Sequence, residues 1–300
     1  MLERCLEALQ HQEYSPTQIV VVDNGSTDGT GEWLRRHDDD RVTVVSFSEN
    51  RGFAAGVNAG IAASRTAFIA LLNNDVLPEP GWLSALVEAL RADPQSGSCA
   101  SKMLFAHDRQ MINSAGDTYS LHGIPGNRGV WQVDRGQYDE SALVFGACAG
   151  AALYRAEALA AVGPFDESFV SYCEDVDWAF RAQLAGFTCR YVPSARVYHI
   201  GSATGGGAYA SYHCGHNFIA TAVKDIPGTL WRRHWHHLVG AQFRLALEAA
   251  RHGREPAARA RLRGQLAAIR DLPALLRRRR SVQRRMRVSA AYIENLMASA

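Results

Sequence analysis

The chain has 300 residues, 47% of them hydrophobic, and a formal net charge of +2. Its length suits one large α/β domain or two smaller ones, and its apolar fraction excludes a disordered chain. No run reaches the roughly 18 apolar residues of a spanning helix, Met1–Cys5 lacks the apolar core of a secretory signal, and six scattered cysteines without a Cys-x-x-Cys pair suit a reducing cytoplasm rather than a disulfide scaffold.

In chain order, Glu3–Gln12 reads as a helix and Gln18–Asp23 as a strand rich in β-branched residues, of the kind buried on both faces. Asn24–Gly29 is turn chemistry, with Thr27 or Asp28 placed to cap a helix over Gly31–Arg36. Arg41–Phe47 is a second strand, Gly56–Ser64 a small-residue helix, and Ala67–Leu72 a third strand ending in Asn73-Asn74-Asp75. Pro80 opens a helix over Gly81–Ala92. Residues 106–145 read as loops with short strands that face a substrate. Gly146–Arg155 is a strand, Arg155–Val162 a helix, Gly163–Asp166 a turn, Glu174–Ala185 a helix and Arg190–Val192 a short strand. Gly205–Gly207 is a break, and mainly helical, Arg-rich sequence follows. This alternation predicts an α/β fold, with domains 1–204 and 205–300. The small net charge hides an asymmetry. Residues 231–300 carry 16 Arg and four acids, while residues 1–230 sum to −10.

Five constellations carry candidate chemistry. Asp23 ends a buried strand, where open α/β sheets bind ligands and a carboxylate can accept from a base or ribose; a plain Asx turn explains it equally. Asn50, Arg51, Gly52 and Asn58 frame a glycine-bearing loop at a helix start, suited to phosphate or to simple packing. Asn73, Asn74 and Asp75 offer oxygen ligands to Mg²⁺ or Mn²⁺, or merely a turn. Glu174, Asp175 and Asp177, followed by Trp178, crowd three acids at a helix start, where they favour the helix dipole or serve a cation or substrate. His199 follows a strand segment and could complete a metal site or contact phosphate.

Together these segments resemble the family 2 glycosyltransferases, above all the bacterial rhamnosyltransferase-like branch. The motifs are residues 21–30 (Val-Val-Asp-Asn-Gly-Ser-Thr-Asp-Gly-Thr), 49–58, 71–76, 163–169 (Gly-Pro-Phe-Asp-Glu-Ser-Phe) and 174–178 (Glu-Asp-Val-Asp-Trp), covering about residues 1–200. The resemblance implies a GT-A fold around a mostly parallel central sheet, and inverting transfer of a sugar, rhamnose among the candidates, from a nucleotide-diphosphate donor. It implies that Asp23 contacts the base, that Asn50–Asn58 lies beside the nucleotide and that Asn73 and Asn74 flank the donor. It places Asp75 and His199 at a Mg²⁺ or Mn²⁺ ion, Asp175 as catalytic base beside Glu174, and Asp177 and Trp178 on the acceptor side. Asn73 stands where the family's metal motif has its first acid. The strand that usually opens the family is missing, which is expected to expose strand edges.

The basic region 231–300, with Trp231, Trp235 and the run Arg277–Arg287, fits an anionic membrane surface, a solvated face or a homodimer contact. The resemblance adds a glycan or lipid-linked acceptor and a cytoplasmic enzyme, peripheral on the inner face of the plasma membrane. No nucleic-acid partner is expected, because no base-reading module accompanies the arginines. Two rivals remain: a non-catalytic binding subunit derived from such an enzyme, and a sugar nucleotidyltransferase.

Overall fold

A computed structural model describes residues 1–14, 18–37, 39–201 and 206–298. Helix α1 (Leu2–Gln10) precedes β1 (Ile19–Asn24), α2 (Thr30–Arg36), β2 (Val42–Phe47), α3 (Phe53–Ala63), β3 (Phe68–Leu72), β4 (Val76–Pro78) and α4 (Trp82–Ala92). The predicted alternation therefore holds through residue 92. β1 and β2 pair in parallel as a sheet of their own. The small residues of α3 let it lie directly on β1: a Cβ added at Gly60 would stand 3.4 Å from the Val22 side chain. Among the described residues, the second edges of β1 and β3 have no strand partner.

The larger sheet is centred on β5 (Ser96–Phe105), all ten residues of which are buried. Short strands β6 (Ile112–Ser114), β7 (Asp117–Tyr119), β8 (Pro125–Asn127) and β9 (Ala142–Val144) occupy the region read as loops. β10 (Ala151–Arg155), α5 (Ala156–Val162), a 3₁₀ turn (Glu167–Phe169), α6 (Glu174–Leu184) and β11 (Thr188–His199) follow. The strand order is β3-β10-β5-β11-β4, with β6 on β5 and β9 on β11. The expected GT-A-like α/β layout is present, but the sheet is mixed rather than mostly parallel. Within it only β5 and β11 pair in parallel, and β10 runs antiparallel to both β3 and β5. The mostly parallel sheet was what the family resemblance implied; strand–helix alternation stops at α4, and β10 enters after the excursion through residues 106–145.

The C-terminal helices are α7 (Gly207–Asp225), α8 (Gly228–Arg251), α9 (Pro256–Arg270), α10 (Leu272–Arg284) and α11 (Ala290–Ala298). The boundary expected at 204/205, and Gly205 of the expected break, lie outside the described residues. The helices beyond it share a core with the α/β part. Tyr119, Phe145, Val176 and Phe180 pack with Leu230, Leu238, Ile293 and Met297, and each such buried side chain contributes about 1.5–3 kcal/mol. α7 and α9 cross at Gly215 and Gly264, where any Cβ would overlap the opposing backbone.

Candidate active site

The ends of β1 and β3 and the start of α6 converge on one region. Asp23 is buried, and its Oδ1 accepts from Ser26 N at 3.0 Å. Next to it Asn24, a residue the motifs did not single out, ties two loops together. Its amide donates to Gly52 O at 2.9 Å and its Oδ1 accepts from Arg51 N at 2.9 Å. Asn50 Oδ1 accepts from Gly52 N at 2.9 Å. Gly52 has φ +87°, and a Cβ there would strike Val170 at 2.7 Å. Only glycine fits, so the 50–52 loop touches the segment that leads into α6. Arg51 is exposed and stacks over Phe47 at 4.8 Å.

Asn58 does not face this site. Its amide donates to Phe165 O at 2.9 Å and Glu167 Oε1 at 3.0 Å, and its Oδ1 accepts from Phe165 N at 2.9 Å. Both ends hold the turn after α5.

Asp75 is buried, His199 Nε2 lies 3.3 Å from its Oδ2, and its Oδ1 has no hydrogen-bond partner. His199 Nδ1 also lacks one. A buried carboxylate oxygen without a donor is costly unless a cation or substrate meets it, so these residues fit a divalent ion. Among the described residues no three His, Cys, Asp or Glu side chains form a closed metal cluster. Asn73 serves the turn through its backbone, donating to Gly150 O at 2.9 Å and accepting from Val76 N at 3.1 Å. Asn74 is exposed.

Asp175 is aimed by two backbone donors, Ala149 N at 3.1 Å and Val176 N at 2.8 Å. Burial raises its pKa against the pull of those bonds. Glu174 is buried with Oε2 unpartnered, and burial together with the Asp175 charge raises it well above the carboxylate range. A third carboxylate, Asp117 on β7, was not foreseen. It is buried, its Oδ2 lacks a partner, and burial with the Asp175 charge raises it well above the usual carboxylate range. A lone Asp in loop-like sequence gave no signal.

The segment before these acids is strained. Val170, Tyr172 and Cys173 have φ of 62°, 68° and 65°, a conformation costing about 1–3 kcal/mol per non-glycine residue. Asn217 of α7, fully buried, supports it: its amide donates to the carbonyls of Phe169 (3.0 Å), Ser171 (3.0 Å) and Tyr172 (2.6 Å). His216 Nδ1 faces Asn217 Oδ1 at 2.7 Å, and His216 Nε2 meets Asp271 at 3.0 Å. Sequence reading missed Asn217 because it lies beyond the motifs.

Asp177 and Trp178, read as acceptor-side residues, are turned into the interior. Asp177 is fully buried and paired with Arg181 at 2.9 Å and with Lys224. Trp178 is buried among Tyr154 and Phe165, with Nε1 donating to Gly163 O at 3.1 Å. Helical rotation turns these positions inward while Asp175 stays at the rim.

Residues 1–163 match the family described as "Glycosyl transferase family 2". The chain belongs to that family. Residues 140–268 also match "Glycosyl transferase family group 2", so the family resemblance runs into the C-terminal helices. The chain is similar to an N-acetylglucosaminyl-diphospho-decaprenol L-rhamnosyltransferase of Mycobacterium tuberculosis, at 29% identity over 72% of this chain and 77% of that one. It is also similar to a pre-mycofactocin glycosyltransferase of that organism, at 31% over 61% of this chain and 37% of that one. Two solved structures share the fold. GalNAc-T7 with UDP, GalNAc and Mn²⁺ gives a TM-score of 0.63 at 12% identity, over 94% of this chain and 52% of that one. A Pyrobaculum calidifontis mannosyltransferase with GDP-Man and Mn²⁺ gives 0.54 at 21%, over 98% and 83%. The chain is thus a family 2 glycosyltransferase, similar to rhamnosyltransferases among others.

Proposed function

We propose that this glycosyltransferase moves a sugar, with rhamnose the first candidate, from a nucleotide-diphosphate donor to a hydroxyl of a glycan or lipid-linked acceptor. The reaction belongs to cell-surface polysaccharide assembly and runs at an anionic membrane surface, with inversion at the anomeric carbon. The relative named for a decaprenol-linked substrate supports a lipid-linked acceptor. The observation that carries the reading is Asp175: an oriented carboxylate at the rim, beside two carboxylates whose buried oxygens have no partners.

The acceptor O–H gives its proton to Asp175 as its oxygen attacks the anomeric carbon in line. The bond to the diphosphate breaks and its electron pair leaves with the diphosphate. Asp75 and His199 would hold a divalent ion, which supplies positive charge to the leaving group. Asp23 and the Asn50–Gly52 loop form the donor side. The family match and the relatives named as glycosyltransferases favour this reading over a non-catalytic binding subunit.

A panel of nucleotide sugars, assayed for transfer and for hydrolysis with and without chelator, tests the proposal. Turnover with one donor that chelator abolishes supports it. Turnover that chelator leaves unchanged removes the metal role of Asp75 and His199.

A further inference from the structure

The basic C-terminal region shows two different surfaces. Part of the α10 Arg run is tied to the body, while Arg277, Arg280 and Arg284 stay exposed. Arg279 donates to Val223 O at 2.6 Å, Arg285 to Val162 O at 2.9 Å, and Arg278 reaches Asp166 at 3.5 Å. The Trp231 indole is likewise committed, donating to Ala222 O at 2.7 Å. These groups fasten the helices to the catalytic body.

The α8–α9 pair is different. A four-residue connector, 252–255, makes the two helices an antiparallel hairpin. Gln265 Nε2 donates to Gln242 O at 3.0 Å, so these positions face each other. The next residue on each helix is turned by about 100°. Because the helices run in opposite directions, Phe243 and Leu266 turn to the same side. Val239 and Leu247, one turn either side of Phe243, and Ile269 near Leu266 complete the row. All five are open to solvent, from 41% exposed at Leu247 to 68% at Phe243. A contiguous apolar face of this kind marks an interaction site.

The charge around the face selects its occupant. The same rotation sets the exposed Arg232, Arg263 and Arg270 along its border. The nearby acids are elsewhere. Glu248 lines the opposite side with Ser120 and His122, Asp271 pairs with His216, and Glu255 sits in the connector beside His252. An apolar row edged by arginines and free of acids is complementary to an anionic bilayer. A second copy of the same face would set arginine against arginine.

We infer that the Phe243–Leu266 face of the α8–α9 hairpin, rather than the α10 Arg run, is the membrane-docking surface. This deepens the proposed function by fixing which face meets the bilayer that carries a lipid-linked acceptor. It rests on that reading for its purpose, not for its geometry.

The test is co-sedimentation of the full chain with vesicles, without any nucleotide sugar. Vesicles of phosphatidylcholine with about one quarter phosphatidylglycerol should pellet the protein, and phosphatidylcholine alone should not. The double variant Phe243→Glu with Leu266→Glu should weaken binding by about tenfold or more. Arg277→Gln with Arg280→Gln on α10 should change it less than about twofold. Circular dichroism and light scattering confirm that each variant keeps its fold and size. The milder Phe243→Ser substitution provides a second test should the acidic pair fail to fold. Unchanged pelleting of folded face variants overturns the inference. So does a wild-type dimer that these variants convert to monomer, because the face then joins two copies. Loss of sugar transfer with vesicle binding intact counts against the transferase reading alone.

Discussion

Asp175 and Asp177 stand two residues apart on α6, and the fold surrounds them in opposite ways. Asp177 is buried against Arg181 and Lys224, whose charges hold it below the usual carboxylate range although burial pushes it up. Lys224 also bonds Asp166 at 2.7 Å, joining α7 to the turn before α6. Asp175 receives two backbone N–H groups and no cation. Its neighbours are carboxylates, Glu174 and Asp117, that burial and the Asp175 charge push well above the usual carboxylate range. One acid is neutralised by salt bridges and anchors the C-terminal helices. The other is oriented but left uncompensated. Carboxylates kept without counter-ions are the mark of a reacting site, whereas a paired buried acid is a structural one.

The largest effect that would sharpen this contrast is Asp175→Asn. Transfer should fall by about 10²–10⁴-fold, while calorimetry shows nucleotide binding retained and stability unchanged or higher. Full turnover in that variant would end its role as base. Lys224→Met should do the reverse. Breaking the buried Asp177–Lys224 pair, with Arg181 still in place, costs up to about 3–5 kcal/mol, read as a lower urea midpoint, with activity lost only as the fold is lost. Asn217→Ala lies between the two: the strained segment before Glu174 loses its support. Its kcat should drop about 10- to 100-fold with donor KM nearly constant, and a pure KM effect would place Asn217 at the donor instead. The smallest effect concerns pH. A base must be ionised, and burial raises Asp175, so kcat/KM should begin to fall with acid at a pH above the ordinary aspartate value of about 3.9. Asp117→Asn should leave that limb nearly in place, because burial already pushes Asp117 well above the usual carboxylate range. A limb displaced by more than about one unit would show that Asp117 is charged.

Legibility followed local pattern. β1, with Ile19 and three valines in succession, and α4, opened by Pro80, could be read within a residue or two of their bounds. β5 could not, although it is the centre of the sheet. Its Ser96, Ser98, Ser101 and Lys102 read as polar, yet all are buried. Partners from distant sequence satisfy them: Trp82 donates to Ser101 Oγ at 2.8 Å, and Lys102 meets Asp134 at 2.7 Å and Asp139 at 2.6 Å. The acids of α6 were visible as a cluster, but their division of labour was not.

Taken alone, the sequence determined the family, the α/β alternation through α4, the oxygen-rich ends of β1 and β3, and the acid cluster at the start of α6. These are contiguous motifs, set by the backbone and by the chemistry of neighbouring residues. The tertiary structure decided what depends on residues far apart in the chain. It turned Asp177 and Trp178 inward, spent Asn58 on a turn, and brought Asp117 and Asn217 to the site. It also tied Arg279 to the body while leaving the α8–α9 face open. The physical reason is that burial and pairing fix the charge and orientation of a side chain, and both come from whichever distant element packs against it.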